Sequence, residues 1–460
     1  MAGFQDLVIL LPGITGSVLA DRRGREVWAP SVRTVWLAIT SLGASITGLE
    51  LGADGGDDGV TATRLVPDVT LVPGLLKIDG YTRIEHQLVE RLGLVPGQNF
   101  HTFPYDWRLD NRRNAERLQV QAMGWLRAWR EHPGCGKARL VLIGHSMGGL
   151  ISRWFVECLG GWEHTRALFT LGTPHRGSLN AVGFIENGMK KGIGPLGLDL
   201  APLLRSYPSV YQLLPIYPCI ESDAGLERVE DAAAARRLRL VDADRAREAR
   251  AFHTAITEAQ RRNAALDRYV GDGYTLVPIV GSEQPTAQSA RVVGGRCTLE
   301  TTLGGQDLGG DGTVPRASAT PIDLEGRERE IYAAVTHGSI QNNDATLASL
   351  VGLLTADRID WRRFQQASDR ASLSLEMDDV LDHGEPLVVC ARASEGAPRL
   401  SVRLQNLADG TEVDEALARD AARGDDASTG EFALPPGTWR VTVHGDGVAP
   451  VSDLVVVAAT

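Results

Sequence analysis

Residues 138–150, ARLVLIGHSMGGL, constrain the fold more than any other stretch of the chain. An apolar run from Ala138 to Ile143 stops at Gly144-His145-Ser146-Met147-Gly148, and a segment of helical character, Gly149 to Leu159, follows. Strand, tight turn and helix in that order set the central serine on a strained turn that lifts its hydroxyl clear of a sheet. Glycines flank it because strand and helix approach too closely for a Cβ. In a chain with 51 glycines the short motif recurs by accident, so its apolar strand and following helix carry the signal. Ser146 is the candidate nucleophile.

A hydroxyl is a poor nucleophile at neutral pH, so Ser146 needs a base and a group that orients that base. Where such an elbow is used, the partners follow in chain order as an acid and then a histidine. Residues 329–337, REIYAAVTH, read as an apolar strand (Ile331 to Val335) whose end delivers His337 into a loop, with helical character from Ala345 to Leu354. Of the ten histidines, His337 alone lies late in the chain at the end of such a strand. The acid is most simply Asp311, in Gly309-Gly310-Asp311-Gly312-Thr313-Val314-Pro315, where glycines permit a tight loop that turns the carboxylate inward. Asp307 is the competing acid and lacks the Gly-Thr-Val-Pro continuation.

Charge developing on a substrate oxygen needs backbone N–H donors. One is expected from Met147, directly after the serine. The other is expected from Ile14, in the Pro12-Gly13-Ile14-Thr15-Gly16-Ser17 loop that follows the apolar strand Leu7 to Leu11.

With these pieces in order the chain resembles the lecithin:cholesterol acyltransferase-like family of α/β-hydrolases. The resemblance is carried by PGITGSVL at 12–19, FPYDWR at 103–108, GHSMGG at 144–149, LGTPHRGS at 171–178, SYPSVYQLLP at 206–215, GGDGTVP at 309–315 and THGS at 336–339. It covers about the first 360 residues, and the ordered set is what is specific. It implies that Ser146, Asp311 and His337 form a catalytic triad, and that Ile14 and Met147 supply the oxyanion hole. It also implies ester chemistry on lipids, with Trp28 and the apolar run Val35 to Leu42 in a lid or membrane-contacting region that binds substrate. A buried segment would look identical to that run. Asp106 with Arg108, and His175 with Arg176, are expected to brace loops near the site.

A net charge of −11 argues against a nucleic-acid partner and supplies no pull toward an anionic membrane. No window approaches the ~20 apolar residues of a membrane-spanning helix. The N-terminus shows no basic segment followed by an apolar one and a cleavage site, so a cytoplasmic location is expected, peripheral at a membrane at most. Cys135, Cys158, Cys219, Cys297 and Cys390 are odd in number and scattered, which suits a reducing compartment and neither a disulfide framework nor a metal site. No metal or organic cofactor is implied.

The fold class expected is α/β: a mostly parallel α/β-hydrolase sheet from residues 1–177 and 271–366, with a cap or lid inserted at 178–270. The insertion is apolar and Pro/Gly-rich from Ile193 to Ile220, then Arg- and Ala-rich with helical spacing from Leu226 to Tyr269. Its apolar part is expected to line an acyl pocket. From 371 to 460 short alternating runs separated by turn signals outline an all-β sandwich, immunoglobulin-like or carboxypeptidase-regulatory-like. It is expected to meet a protein partner or a surface. A phospholipase or lipase is the leading reading, ahead of an O-acyltransferase passing the acyl group to an alcohol. The reading from another class is a catalytically silent binding protein working through its C-terminal β domain.

Overall fold

The structure, a computed structural model, describes residues 4–29, 49–51, 58–67, 70–72, 76–78, 80–188, 201–223, 225–324, 330–355, 371–394, 396, 398–420, 422–423 and 427–458. The apolar run Val35–Leu42 lies outside the described residues, as do 52–57 of the glycine-rich stretch and 193–200 of the insertion.

Six segments build one parallel sheet: β1 (Leu7–Leu11), β2 (Phe100–Thr102), β3 (Leu140–His145), β4 (Thr165–Leu171), β5 (Thr275–Ser282) and β6 (Ile331–Ala334). Their order is β6-β5-β4-β3-β1-β2. β1 and β3 are buried along their whole length, which is why they read as continuous apolar runs and not as alternation. Leu7, Ile9 and Leu11 pack with α2 (Asn111–Arg130) and α3 (Met147–Cys158) on one face. Val8 and Leu10 pack with α1 (Thr82–Leu92) and α6 (Asp344–Thr355) on the other. Helices on both faces of a parallel sheet make this an α/β fold, and the motifs sit at the carboxyl ends of the strands.

Between β4 and β5 lie α4 (Leu179–Glu186) and the long α5 (Ala243–Ala264), whose Asp242 cap accepts from the N–H groups of Asp244 and Arg245. The helical spacing expected from Leu226 begins only at Val229. Gly225–Glu227 is instead a strand paired with Ile220–Ser222, and Gly225 at φ +109° holds a conformation no helix offers. That pair joins the hairpin Ser289–Val293 and Arg296–Glu300 in one four-stranded sheet, so strands from both sides of residue 270 share it.

From Leu373 the described residues form strands and no helix, chief among them β7 (Leu373–Glu376), β8 (Leu387–Ala393), β9 (Leu400–Asn406), β10 (Glu412–Ala416), β11 (Ala427–Phe432), β12 (Gly437–Gly445) and β13 (Val451–Val457). β7, β8 and β11 belong to one sheet, and β13, β12, β9 and β10 to a second. Alternate residues such as Val389 on the first and Val402, Val441 and Val455 on the second meet in one core. Among the described residues no helix is long and apolar enough to cross a membrane, and all five cysteines are free.

Candidate active site

Ser146 stands between β3 and α3 at φ +51°, a strained backbone for a residue with a Cβ. Its N–H donates to the Leu171 carbonyl at 2.8 Å, which ties the turn to β4. A Cβ on Gly144 would stand 2.6 Å from the Gly149 nitrogen, so the helix can start where it does only over a glycine. The strain and the close approach are the two properties the sequence motif implies.

The structure brings Ser146, His337 and Asp311 into one hydrogen-bonded line, each at most 5% exposed. His337 Nε2 lies 2.9 Å from Ser146 Oγ and His337 Nδ1 lies 2.8 Å from Asp311 Oδ2. A carboxylate only accepts, so Nδ1 carries the proton and Nε2 is left to accept from the serine hydroxyl. The other carboxylate oxygen of Asp311 accepts from the N–H groups of Thr313 (3.0 Å) and Val314 (2.7 Å). The His337 N–H in turn donates to the Asp311 carbonyl at 2.7 Å. Asp307, the alternative acid, accepts from Gln288 Nε2 (2.6 Å) and the Gly309 N–H (2.8 Å) and braces its loop.

Met147 opens α3, so its N–H has no carbonyl one turn back to bond. Ile14 lines the same cavity as Ser146. The loop that carries Ile14 is held from behind by aromatic residues. Tyr105 Oη donates to the Pro12 carbonyl (2.8 Å), Trp107 Nε1 to the Ser17 carbonyl (3.2 Å) and Trp28 Nε1 to the Thr15 carbonyl (3.1 Å). Trp28 is buried edge-on against Trp107 and is not among the described residues that line the cavity. Arg108, fully buried, holds Asp106 at 2.7 Å and Asp58 at 2.7 Å. His175 Nε2 lies 3.2 Å from Thr170 Oγ1.

Two residues that the sequence reading passed over complete the site. The Gly13 N–H donates to Tyr81 Oη at 2.7 Å, Tyr81 Oη lies 2.7 Å from His145 Nδ1, and His145 Nε2 lies 3.2 Å from the His337 carbonyl. A carbonyl only accepts, so Nε2 carries the proton and Nδ1 accepts from the tyrosine. Burial, with His337 beside it, pushes His145 down to about 3, so it stays neutral. The loop before Ile14 is thus wired to the backbone of His337 through two buried side chains. His145 was visible inside the motif; nothing local marked Tyr81.

The cavity holding Ser146 and His337 measures about 650 Å³. Ala181, Phe184, Leu213 and Leu299 give it an apolar side, with α4 packed on the strand Arg296–Glu300. The family model of lecithin:cholesterol acyltransferase matches residues 73–272. Over that stretch, which holds the motifs at 103–108, 144–149, 171–178 and 206–215, the resemblance is borne out. The family's stretch contains Ser146 and Met147, whereas Ile14, Trp28, Asp311 and His337 lie outside it. The chain is 29% identical over 170 residues to the uncharacterized protein YJR098C of Saccharomyces cerevisiae, across 36% of this chain and 23% of the yeast protein's length. It is also similar to two solved structures of the Bacillus licheniformis lipase BlEst2. The propeptide form shows 13% identity and a TM-score of 0.36 over 98% of this chain and 73% of that one. The mature form shows 12% identity and a TM-score of 0.34 over 77% of this chain and 93% of that one.

Proposed function

We propose that this protein is a serine hydrolase that cleaves acyl esters of lipids through an acyl-enzyme. The observation that carries the reading is the buried line Ser146–His337–Asp311 at 2.9 and 2.8 Å, opening on a cavity with an apolar side. The family match over 73–272 supports a lipid ester as the substrate class.

In this reading Ser146 Oγ attacks the ester carbonyl carbon while His337 Nε2 takes the hydroxyl proton. Asp311, pinned by two backbone N–H groups, holds the imidazole in that tautomer and stabilises the imidazolium. The N–H groups of Ile14 and Met147 receive the developing oxyanion. His337 then returns its proton to the departing alkoxide as the C–O bond breaks. Water repeats the sequence on the acyl-serine and releases the fatty acid. Residues 1–177 and 271–366 serve as the catalytic unit, and the insertion 178–270 lends Phe184 and Leu213 to the acyl pocket.

The test compares wild type with Ser146→Ala on p-nitrophenyl esters of short and long chain and on phosphatidylcholine liposomes, with fluorophosphonate labelling of Ser146. Hydrolysis by wild type alone is expected. Silence from both proteins, with no label on Ser146, refutes the reading.

A further inference from the structure

The cavity wall beside His337 is built by the C-terminal β domain. Gln284, 3% exposed, lies just past β5 and turns its side-chain amide onto the backbone of β7. Its Nε2 donates to the Leu373 carbonyl at 3.1 Å and its Oε1 accepts from the Leu375 N–H at 3.1 Å. This side chain thereby pairs with β7 as a neighbouring strand would. The main chain of the same residue donates to the Gly310 carbonyl at 3.0 Å and bridges to Asp311. On the histidine side, Thr336 Oγ1 donates to the Ser452 carbonyl at 3.3 Å, and β13 packs on the 3-10 turn His337–Asn342. The elements carrying Asp311 and His337 are each stitched to the β domain by an adjacent residue.

The stitching places Leu375, Glu376 and Met377 in the lining of the catalytic cavity, together with Asp379 and Asp453. Glu376 is exposed and Met377 half-buried, so both are open to a ligand. The cavity's apolar side is formed by other elements, α4 with Leu213 and Leu299. Chemistry distinguishes the two walls. His337 must hand its proton to the leaving alkoxide, so the alcohol half of the ester lies on the histidine side. No Lys or Arg is among the described residues that line the cavity.

We infer that Leu375–Met377, the end of β7 and the residue after it, is the alcohol subsite, through which the C-terminal domain selects esters of neutral or cationic alcohols against anionic ones. This rests on the proposed hydrolase reading. A domain whose expected role was to meet a partner or surface becomes one wall of the active site. Glu376 sets the sign of charge tolerated and Met377 the width.

The experiment uses the full chain and three octanoate esters, those of methanol, choline and glycerol 3-phosphate, with kcat/KM measured for each. For unit charges about 6 Å apart in water, with the interaction roughly halved by physiological salt, Glu376→Lys is expected to lower the choline-to-glycerophosphate ratio about tenfold or more, and Glu376→Gln about threefold or more. Met377→Trp is expected to lower the choline-to-methyl ratio about fivefold or more. The preference among methyl butyrate, octanoate and laurate should hold in all three variants and change in Phe184→Ala. Hydrolysis that needs Ser146 but shows unmoved alcohol ratios overturns this inference alone. So does a shift of acyl-length preference in the β7 variants as large as the shift in alcohol ratio. Absence of hydrolysis and of Ser146 labelling in the wild type overturns the hydrolase reading as well.

Discussion

Tyr81→Phe is the sharpest probe of how the site is held. The substitution removes one oxygen and keeps the ring, which is fully buried and stands edge-on to His145 with centroids 5.8 Å apart, so no cavity opens. What it removes is the acceptor for the Gly13 N–H and the donor to His145 Nδ1, both at 2.7 Å. An unsatisfied buried polar group costs about 1–3 kcal/mol, so the two orphans together cost about 2–6 kcal/mol of stability. Gly13 directly precedes Ile14, so the loss also frees the loop expected to offer an oxyanion donor. Misplacing one such donor lowers kcat by about 10²-fold or more, with KM little changed. Urea unfolding followed by tryptophan fluorescence reads the first effect, and kcat on a p-nitrophenyl ester reads the second. A fall in stability below about 1 kcal/mol with kcat within about twofold of wild type would refute the wiring argument.

Three further outcomes are expected. Burial holds His145 down to about 3, His253 to about 4 and His175 well below its ordinary range, so the unfolded chain binds protons that the fold refuses. Stability is then fully present above about pH 6.5 and falls as pH drops toward 4, by roughly 1 kcal/mol per pH unit for each histidine; a urea midpoint flat across pH 7 to 4.5 would contradict this. Gly172→Ala puts a Cβ 2.9 Å from Asp311 Oδ2 and 3.0 Å from His337 Nδ1 at φ +56°, and should lower kcat by about 10²-fold or more in the same ester assay. Asp311→Asn should lower kcat by about 10⁴-fold through the wrong imidazole tautomer, with Asp307→Asn within about tenfold of wild type; equal losses would reopen the choice of acid.

Local pattern made much of this protein legible. The apolar runs Leu7 to Leu11 and Leu140 to Ile143 lie in strands with no exposed face, and a strand with no exposed face leaves an uninterrupted apolar signature. Gly144 and the serine turn announce themselves because backbone strain and close approach restrict residue type at fixed offsets. His337 could be singled out because a short apolar strand delivers it, and α6 after it follows helical periodicity. The strand at Gly225–Glu227 was hidden for the converse reason. Three residues are too few for a period, and their partner strand Ile220–Ser222 is itself seated on the hairpin that follows β5, across α5.

The amino-acid sequence by itself determined which residues have the chemistry and which short segments could present them. Tertiary structure alone decided which of those residues meet. It set Asp311, and not Asp307, against His337, although both lie in glycine-flanked loops. Trp28 went onto the Thr15 carbonyl of the Ile14 loop and is not among the described residues that line the cavity. Tyr81 was joined to His145 across 64 positions and Gln284 to β7 across 89. Periodicity and residue preference encode a segment's own dihedral angles and its burial. A hydrogen bond between distant segments depends on how whole elements pack, and no window of sequence carries that information.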